Sequence, residues 1–318
     1  MLNDSQIRNI KIKNGLVLAP MSGVTCMSFR RLVKELNGDS VGLMISEFIS
    51  VEGMTRHAKK TLEMMRFKEA ERPFGIQIFG YDIDRMATAA KMCQDAGVDL
   101  VDINCGCPAP KVVKKGGGCE LMRQPDHLAK IFAATRKAVS VPLTMKMRSG
   151  WDSESTNCDQ IAKIAQEEGL EAVTIHGRTR VQLYRGCADW QFPARVKTQV
   201  KIPVFGSGDV VDADSATEKL STGVDGLYIG RAAISNPLVF KEIATKQSGT
   251  IRNDPKLMIK ILKRYSELLA EEFPEKAIIG KLKQLASQMV KGQEWRKPLL
   301  LTHETKQFIE ILDNADRN

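Results

Sequence analysis

At 318 residues with 43% apolar side chains, the chain is longer than one average domain and suits a single large α/β barrel with an appendage. No apolar run reaches the roughly 18 residues of a membrane span, the opening MLNDSQIRNIKIKNG lacks the apolar segment of a secretory signal, and seven irregularly spaced cysteines argue against a disulfide framework. A reducing cytoplasm is therefore expected, and the formal charge of +9 favours a polyanionic partner, because Lys and Arg gain affinity by releasing phosphate counterions.

In chain order, IRNIKIKNGLVLAP predicts a small hairpin that turns at Asn14-Gly15 and caps one end of the fold. Eight short apolar runs follow: LVLAPM from Leu16, VGLMISEF from Val41, FGIQIFG from Phe74, LVDINCG from Leu100, PLTMKMRSG from Pro142, AVTIHGR from Ala172, PVFGSG from Pro203 and GLYIGR from Gly226. Runs this short and this apolar are what parallel strands buried on both faces require. Between them SFRRLVKELN, DRMATAAKMCQDAG, PDHLAKIFAATRKAV and DQIAKIAQEEG carry the 3.6-residue period, and Gly97 and Gly169 supply terminators. Eight βα repeats predict an α/β fold, a closed (β/α)₈ TIM barrel over residues 1–245. Past a polar linker, residues 246–318 predict a small C-terminal helical domain. On its first helix Lys256, Lys260 and Lys263 share a face, either a solvated stripe or a docking surface for an anion.

Barrels of this kind carry their active sites at the C-terminal strand ends. There the sequence places Pro20, Met21 and Ser22, then Gln77, Asn104 with Cys105 and Cys107, Lys146 with Arg148, His176 with Arg178, Ser207-Gly208-Asp209 and Gly230-Arg231. The glycine turns after the last two strands can present backbone N–H groups to a phosphate, with Arg231 as a guanidinium fork. Lys146 on an apolar strand needs an electron-rich partner or a structural carboxylate such as Glu47. Gln77 can both donate to and accept from the edge of a planar heterocycle. Together these predict a flavin mononucleotide site, in which the lysine would stabilise the charge of the reduced ring. The paired cysteines lack the further soft ligands of a metal site, so no metal is expected, and their one-residue gap would strain a disulfide. Strand alternation makes Cys105 a packing residue, whereas Cys107 projects from the loop as a thiol able to give up a proton.

The segments APMSGVT (19–25), SEF (46–48), QIFG (77–80), DINCGCPAPKVVKKGGG (102–118), KMRSGW (146–151), TIHGRTR (174–180) and IGRAA (229–233) resemble the tRNA-dihydrouridine synthase family, most closely its bacterial B-type branch. The resemblance covers nearly the whole chain. It implies reduction of a D-loop uridine of tRNA to 5,6-dihydrouridine, with NADPH or NADH reducing FMN, flavin N5 delivering hydride to uracil C6, and Cys107 protonating C5. By position it assigns Pro20, Met21, Ser22, Gln77, Lys146, His176, Ser207, Gly208, Asp209, Gly230 and Arg231 to the flavin. Asn104 and Arg178 fall to the uracil or RNA. It implies a helical domain that helps grip tRNA, which would make the stripe with Lys256 and Lys260 a phosphate-gripping surface, and a monomer is expected because that surface takes up much of one side. Ser207 stands where the family usually has Asn, and Cys119 where it commonly has Ala or Ser. Two other readings share parts of this pattern: an FMN-dependent reductase of a free pyrimidine, and a non-catalytic tRNA-binding protein. A helical appendage is more than the first requires, and an intact Cys107–Lys146 pair is more than the second requires.

Overall fold

The structure, a computed structural model, describes residues 2–247, 249–251 and 253–317. Each of the eight apolar runs forms a strand: β3 (Leu16–Leu18), β4 (Leu43–Ser50), β5 (Phe74–Phe79), β6 (Leu100–Cys105), β7 (Leu143–Arg148), β8 (Ala172–His176), β9 (Val204–Ser207) and β10 (Gly226–Ile229). They close into a parallel barrel in the order β10-β3-β4-β5-β6-β7-β8-β9. Helices Met27–Asn37, Ile83–Asp95, Pro125–Ala138 and Cys158–Glu167 lie between successive strands. The terminators act as expected: Gly97 and Gly169 take φ values of 84° and 79°, which a side chain would resist.

The hairpin exists, but its turn is not where Asn14-Gly15 suggested. It pairs β1 (Ser5–Ile7) with β2 (Ile10–Ile12) and turns at Arg8-Asn9, with Arg8 at φ 51°. Asn14 and Gly15 do adopt positive φ, but within a single 3₁₀ turn that feeds β3. The Asp4 carboxylate accepts the Asn14 N–H at 2.8 Å and holds that turn against the hairpin. Ile7, Ile10 and Ile12 then join Val17, Leu43, Ile45, Phe205 and Tyr228 in one buried cluster. The hairpin therefore plugs the end of the barrel at which the strands begin, and chemistry is left to the other end.

Among the described residues the tail forms helices Pro255–Ala270, Glu275–Met289, Arg296–Leu301 and Thr305–Arg317. Asp254 caps the first of these through the Leu257 N–H at 2.9 Å, and Pro255 occupies its first turn. That helix runs antiparallel to the barrel helix Met27–Asn37. Ser28 meets Leu268 and Glu272, Arg31 meets Glu271, and Glu35 meets Arg264. Glu272 accepts the N–H groups of Met27 and Ser28, donors that the Cys26 side chain leaves uncapped.

One ion pair lies wholly inside this layer. Arg30 and Glu71 are both buried, with Nε and Oε2 2.6 Å apart. The Arg30 guanidinium also donates to the carbonyls of Thr25 and Arg66, and Glu71 accepts the Lys68 N–H. Removing one member strands the other charge without solvent, so Glu71→Ala is expected to lower the unfolding free energy by about 3–5 kcal/mol. Denaturant titration of the variant beside the parent checks this; a loss under about 1 kcal/mol would mean that water reaches Arg30.

Candidate active site

Cross-strand register brings a set of polar side chains to the interior at the far end of the barrel. Gln77 on β5 pairs with Asp102 on β6, Asp102 pairs with Thr144 on β7, and Asn104 pairs with Lys146. Asp102 and Asn104 are two residues apart on one strand, so both face inward while Cys105 turns outward. Cys105 packs in the apolar layer beneath the helices, as expected of a structural thiol.

The inward set is tightly bonded. Gln77 Nε2 donates to Asp102 at 2.6 Å, Thr144 Oγ1 donates to the other Asp102 oxygen at 2.6 Å, and Asn104 Nδ2 donates to Gln77 Oε1 at 2.6 Å. Asn104 Oδ1 in turn accepts the N–H groups of Gly106 at 3.2 Å and Cys107 at 2.9 Å. Gln77 is fully buried, so its amide stands one layer below the mouth as part of the floor. Burial raises the Asp102 carboxyl to about 6, while the Thr144 and Gln77 hydrogen bonds and Lys146 oppose the rise.

Cys107 sits just beyond the end of β6 with 8% of its surface exposed. Burial raises its pKa, while the Ala109 N–H and the Arg148 charge act in the opposite sense. The net direction keeps the thiol protonated at neutral pH, the state a general acid needs. The loop that follows folds as a short helix, Pro110–Val113, and returns through Gly118 to Cys119, whose N–H donates to the Cys107 carbonyl at 3.1 Å. Gly118 has φ 60°, and a Cβ there would lie 2.5 Å from that carbonyl oxygen, so this close return requires glycine. Lys111, Lys114 and Lys115 on the loop are exposed.

Lys146 is half-buried, and among the described residues its ammonium makes no hydrogen bond or ion pair. Glu47 is not its partner: that carboxylate accepts the Gly23 N–H and faces Lys281. Desolvation and repulsion from Arg148 lower the Lys146 pKa to about 8, with Asp102 opposing. His176 Nε2 lies 3.3 Å from Arg178 Nη1. A guanidinium only donates, so Nε2 accepts and the ring proton sits on Nδ1. Burial and the surrounding cations Lys146, Arg148, Arg178 and Arg231 hold the histidine well below its usual pKa, hence neutral.

Several side chains stand elsewhere than expected. Arg178 is 2% exposed and donates to His176, to the carbonyls of Arg185 and Gly186, and to Asp209. It braces the wall and offers RNA no open fork. The Asp209 carboxylate accepts from Arg178 at 2.7 Å, Arg231 at 3.0 Å and the Ala188 N–H at 2.7 Å. Burial alone would raise its pKa, but those donors hold it below the usual carboxylate range, so it orients cations. The Ser207 hydroxyl donates to the Tyr228 carbonyl at 3.2 Å, within the barrel wall. That hydroxyl is spent on the neighbouring strand.

The sequence placed Arg148 at a strand end without a role, and it missed Tyr184. Arg148 ties three segments together through the carbonyls of Gly106 at 3.2 Å, Thr179 at 2.8 Å and Leu183 at 2.7 Å. Tyr184 is 56% exposed at the rim, with Arg231 at 4.7 Å and Arg148 at 5.6 Å from its ring and His176 tilted beside it. The segment RVQLYRG, with an aromatic between arginines, was the available signal.

The arrangement suits an anionic planar cofactor. Lys146 has no ion-pair partner among the described residues, and the backbones of Gly208 and Gly230 lie next to Arg231 at the rim. A Cβ at Gly208, whose φ is 119°, would come within 2.6 Å of the Ala188 methyl and 3.0 Å of the His176 ring. Pro20 and Met21 are half-buried and Ser22 exposed on the adjoining loop. Lys256 and Lys260 lie apart from this group. The tail helix reaches the level of the barrel-helix N-terminus at Leu268, so Lys256 stands roughly 18 Å back toward the closed end at 1.5 Å per residue. Lys263 is engaged by Asp313 at 2.6 Å, whereas Lys256 and Lys260 are exposed.

A closed parallel barrel with a polar floor, a protonated thiol and a cation-rich rim at its C-terminal end defines a barrel enzyme of the reductase type. A family model described as "Dihydrouridine synthase (Dus)" matches residues 17–317, and the chain belongs to the dihydrouridine synthase family. The chain is 42% identical over 240 residues to a probable tRNA-dihydrouridine synthase of Rickettsia bellii, covering 75% of this chain and 73% of the relative. It is 41% identical over 240 residues to tRNA-dihydrouridine synthase B of Pseudomonas putida, covering 75% and 70%. Among solved structures, a 2-naphthoyl-CoA reductase complex superposes with a TM-score of 0.60 at 15% identity. That match covers 77% of this chain and 52% of the other, so the chain spans about half its length, and the likeness is one of fold. Among the described residues no helix is long and apolar enough to cross a membrane, and no three His, Cys, Asp or Glu gather as a metal site.

Proposed function

We propose that the protein reduces a D-loop uridine of tRNA to 5,6-dihydrouridine, with FMN as resident cofactor and NADPH or NADH as reductant. The observation that carries this reading is the buried Cys107, its N–H held by Asn104, whose cross-strand neighbour Lys146 has no hydrogen-bond or ion-pair partner among the described residues. Bound FMN would supply the hydride carrier between nicotinamide and uracil C6. The chain's residues account for the rest. Pro20, Met21, Ser22, Gly208, Gly230 and Arg231 would hold the cofactor at the rim, with Arg231 kept in place by Asp209. Lys146 would stabilise negative charge on the reduced ring, and the neutral His176 would offer it the Nδ1 proton. Cys107 Sγ would give its proton to uracil C5, and the resulting thiolate would recover one from solvent.

A uridine within folded tRNA is stacked, so it must be drawn out of the nucleic acid to reach this mouth. Exposed Tyr184 is suited to stack on the extruded base, and Lys111, Lys114 and Lys115 to meet the flanking phosphates. Residues 246–318 would then be a tRNA-gripping domain. Incubating tRNA from a strain without its own synthases with the protein and NADPH, then mapping dihydrouridine by position, tests the proposal. Signal at one D-loop site is the expected result. No signal despite bound flavin and NADPH oxidation would favour a free-pyrimidine reductase, to be assayed with uracil or orotate.

Lys256 and Lys260 also have a measurable consequence. Lys256→Glu combined with Lys260→Glu is expected to weaken tRNA binding and make its salt dependence less steep by about one to two ion equivalents. Flavin reduction by NADPH should not change. Because the pair stands well back from the mouth, the loss should be smaller than for Lys114→Glu with Lys115→Glu. An unchanged salt slope would make the pair a solvated face with no part in tRNA binding.

A further inference from the structure

We propose that Asp102 is a positioning residue for proton delivery: it sets the direction of a hydrogen-bond chain, Asp102–Gln77–Asn104, that ends on the backbone carrying Cys107. The proposal deepens the reading of Cys107 as the acid and rests on it. The chain is continuous and buried. Asp102 and Gln77 are fully buried, Asn104 is nearly so, and the links measure 2.6 Å, 2.6 Å and 2.9 Å.

The polarity is what matters. A carboxylate only accepts, so Gln77 must turn its NH₂ toward Asp102 and its carbonyl toward Asn104. Asn104 must then present its NH₂ to Gln77 and its carbonyl to the N–H groups of Gly106 and Cys107. A backbone N–H only donates, so the far end demands the same direction. Each amide can flip, yet one orientation alone satisfies both termini. Without the charge at the Asp102 end only the far end still holds that direction, and a reversed arrangement, with the Asn104 NH₂ against two N–H donors and the bend that aims Cys107 without its anchor, is opposed less strongly.

The groups bearing on Asp102 leave it as the one that titrates near 6. Lys146 on β7 and Tyr228 on β10 carry charge or a phenol near it, and Cys105 lies on its own strand. Burial pushes the Tyr228 phenol and the Cys105 thiol up, so both stay protonated, while Lys146 stays cationic below about 8. As pH falls through about 6, Asp102 gains a proton and ceases to be an acceptor only. Uridine reduction should fall with it, although a more acidic medium would favour proton donation itself.

The test uses the flavin-loaded enzyme with tRNA and compares parent, Cys107→Ala, Asp102→Asn and Thr144→Val. Asp102→Asn preserves shape and is expected to lower dihydrouridine formation about tenfold, the effect of one charge-assisted hydrogen bond. It should also abolish the acid limb near pH 6 and leave flavin reduction by NADPH within about twofold. Hydrogen exchange at the Gly106 and Cys107 amides, measured without tRNA or NADPH, should quicken by about tenfold. Thr144→Val removes the other donor to Asp102, so the acid limb should move to higher pH while the rate above pH 8 stays that of the parent. Should Asp102→Asn fail to fold, that shift still carries the test. If Cys107→Ala keeps the parental rate, the thiol is not the acid and the underlying reading falls. If Cys107→Ala loses activity while Asp102→Asn keeps rate, pH profile and amide exchange, or while Thr144→Val leaves the limb unmoved, the role of Asp102 is overturned.

Discussion

Replacing Cys107 with alanine is expected to lower dihydrouridine formation by about 10²–10⁴-fold, the range contributed by a positioned general acid. The first half of the turnover, NADPH oxidation with flavin reduction, should persist, because Cys107 lies at the end of β6 and its hydrogen bonds go to Asn104 and Cys119, neither of them in the proposed cofactor cradle. Serine at the same place fills the space but is a far weaker acid, so Cys107→Ser should resemble the alanine variant. Since burial raises the thiol pKa, Cys107 itself should remain a proton donor through neutral pH and be lost as one only as it ionises at higher pH. Single-turnover reduction of tRNA by pre-reduced enzyme measures the step directly. Parental turnover in the alanine variant would move the proton to another donor, with Tyr184 the next group at the rim.

Lys146→Met carries the second large effect, in two opposed directions. Uridine reduction should fall by about 10²–10³-fold, because a preorganised charge beside the reacting ring is lost. The flavin-free protein should unfold no earlier than the parent. Its ammonium has no hydrogen-bond or ion-pair partner among the described residues, and burial already lowers its pKa to about 8, so methionine removes a desolvation cost. An anionic ligand favours the protonated lysine. Parental flavin affinity should therefore weaken as pH rises through about 8, whereas the methionine variant should bind more weakly with no such step. Flavin fluorescence titrations from pH 6 to 10, with melting curves alongside, separate these outcomes. A variant that melts earlier and keeps a pH step near 8 would show that another group neutralises the cofactor.

Much of the barrel was legible because its causes are local. Short apolar runs and period-3.6 helices alternate along the chain, and Gly97 and Gly169 end helices where glycine is at ease with positive φ. Alternation on β6 also separated Cys105, packed under helices, from Asn104, turned to the interior. The Asn14-Gly15 turn shows the boundary. The pair has the positive φ its residue types prefer, yet the hairpin closes six residues earlier, because the Asp4 carboxylate and the barrel plug select the register.

From the residues alone came the strand order in the chain, the end of the barrel where chemistry belongs, and the candidates Cys107, Lys146, His176 and the glycine turns. Partners were decided only by closure of the barrel. Asp102 lies 25 positions from Gln77, and Arg178 lies 31 from Asp209, so their pairings follow from strand neighbours that no local pattern encodes. Register therefore made Asp102 the start of the floor network, turned the Ser207 hydroxyl into the wall and buried Arg178 behind Asp209. It also set the Lys256 stripe back from the mouth, because a helix face says which residues share a side, while packing against Met27–Asn37 determines where that side lies.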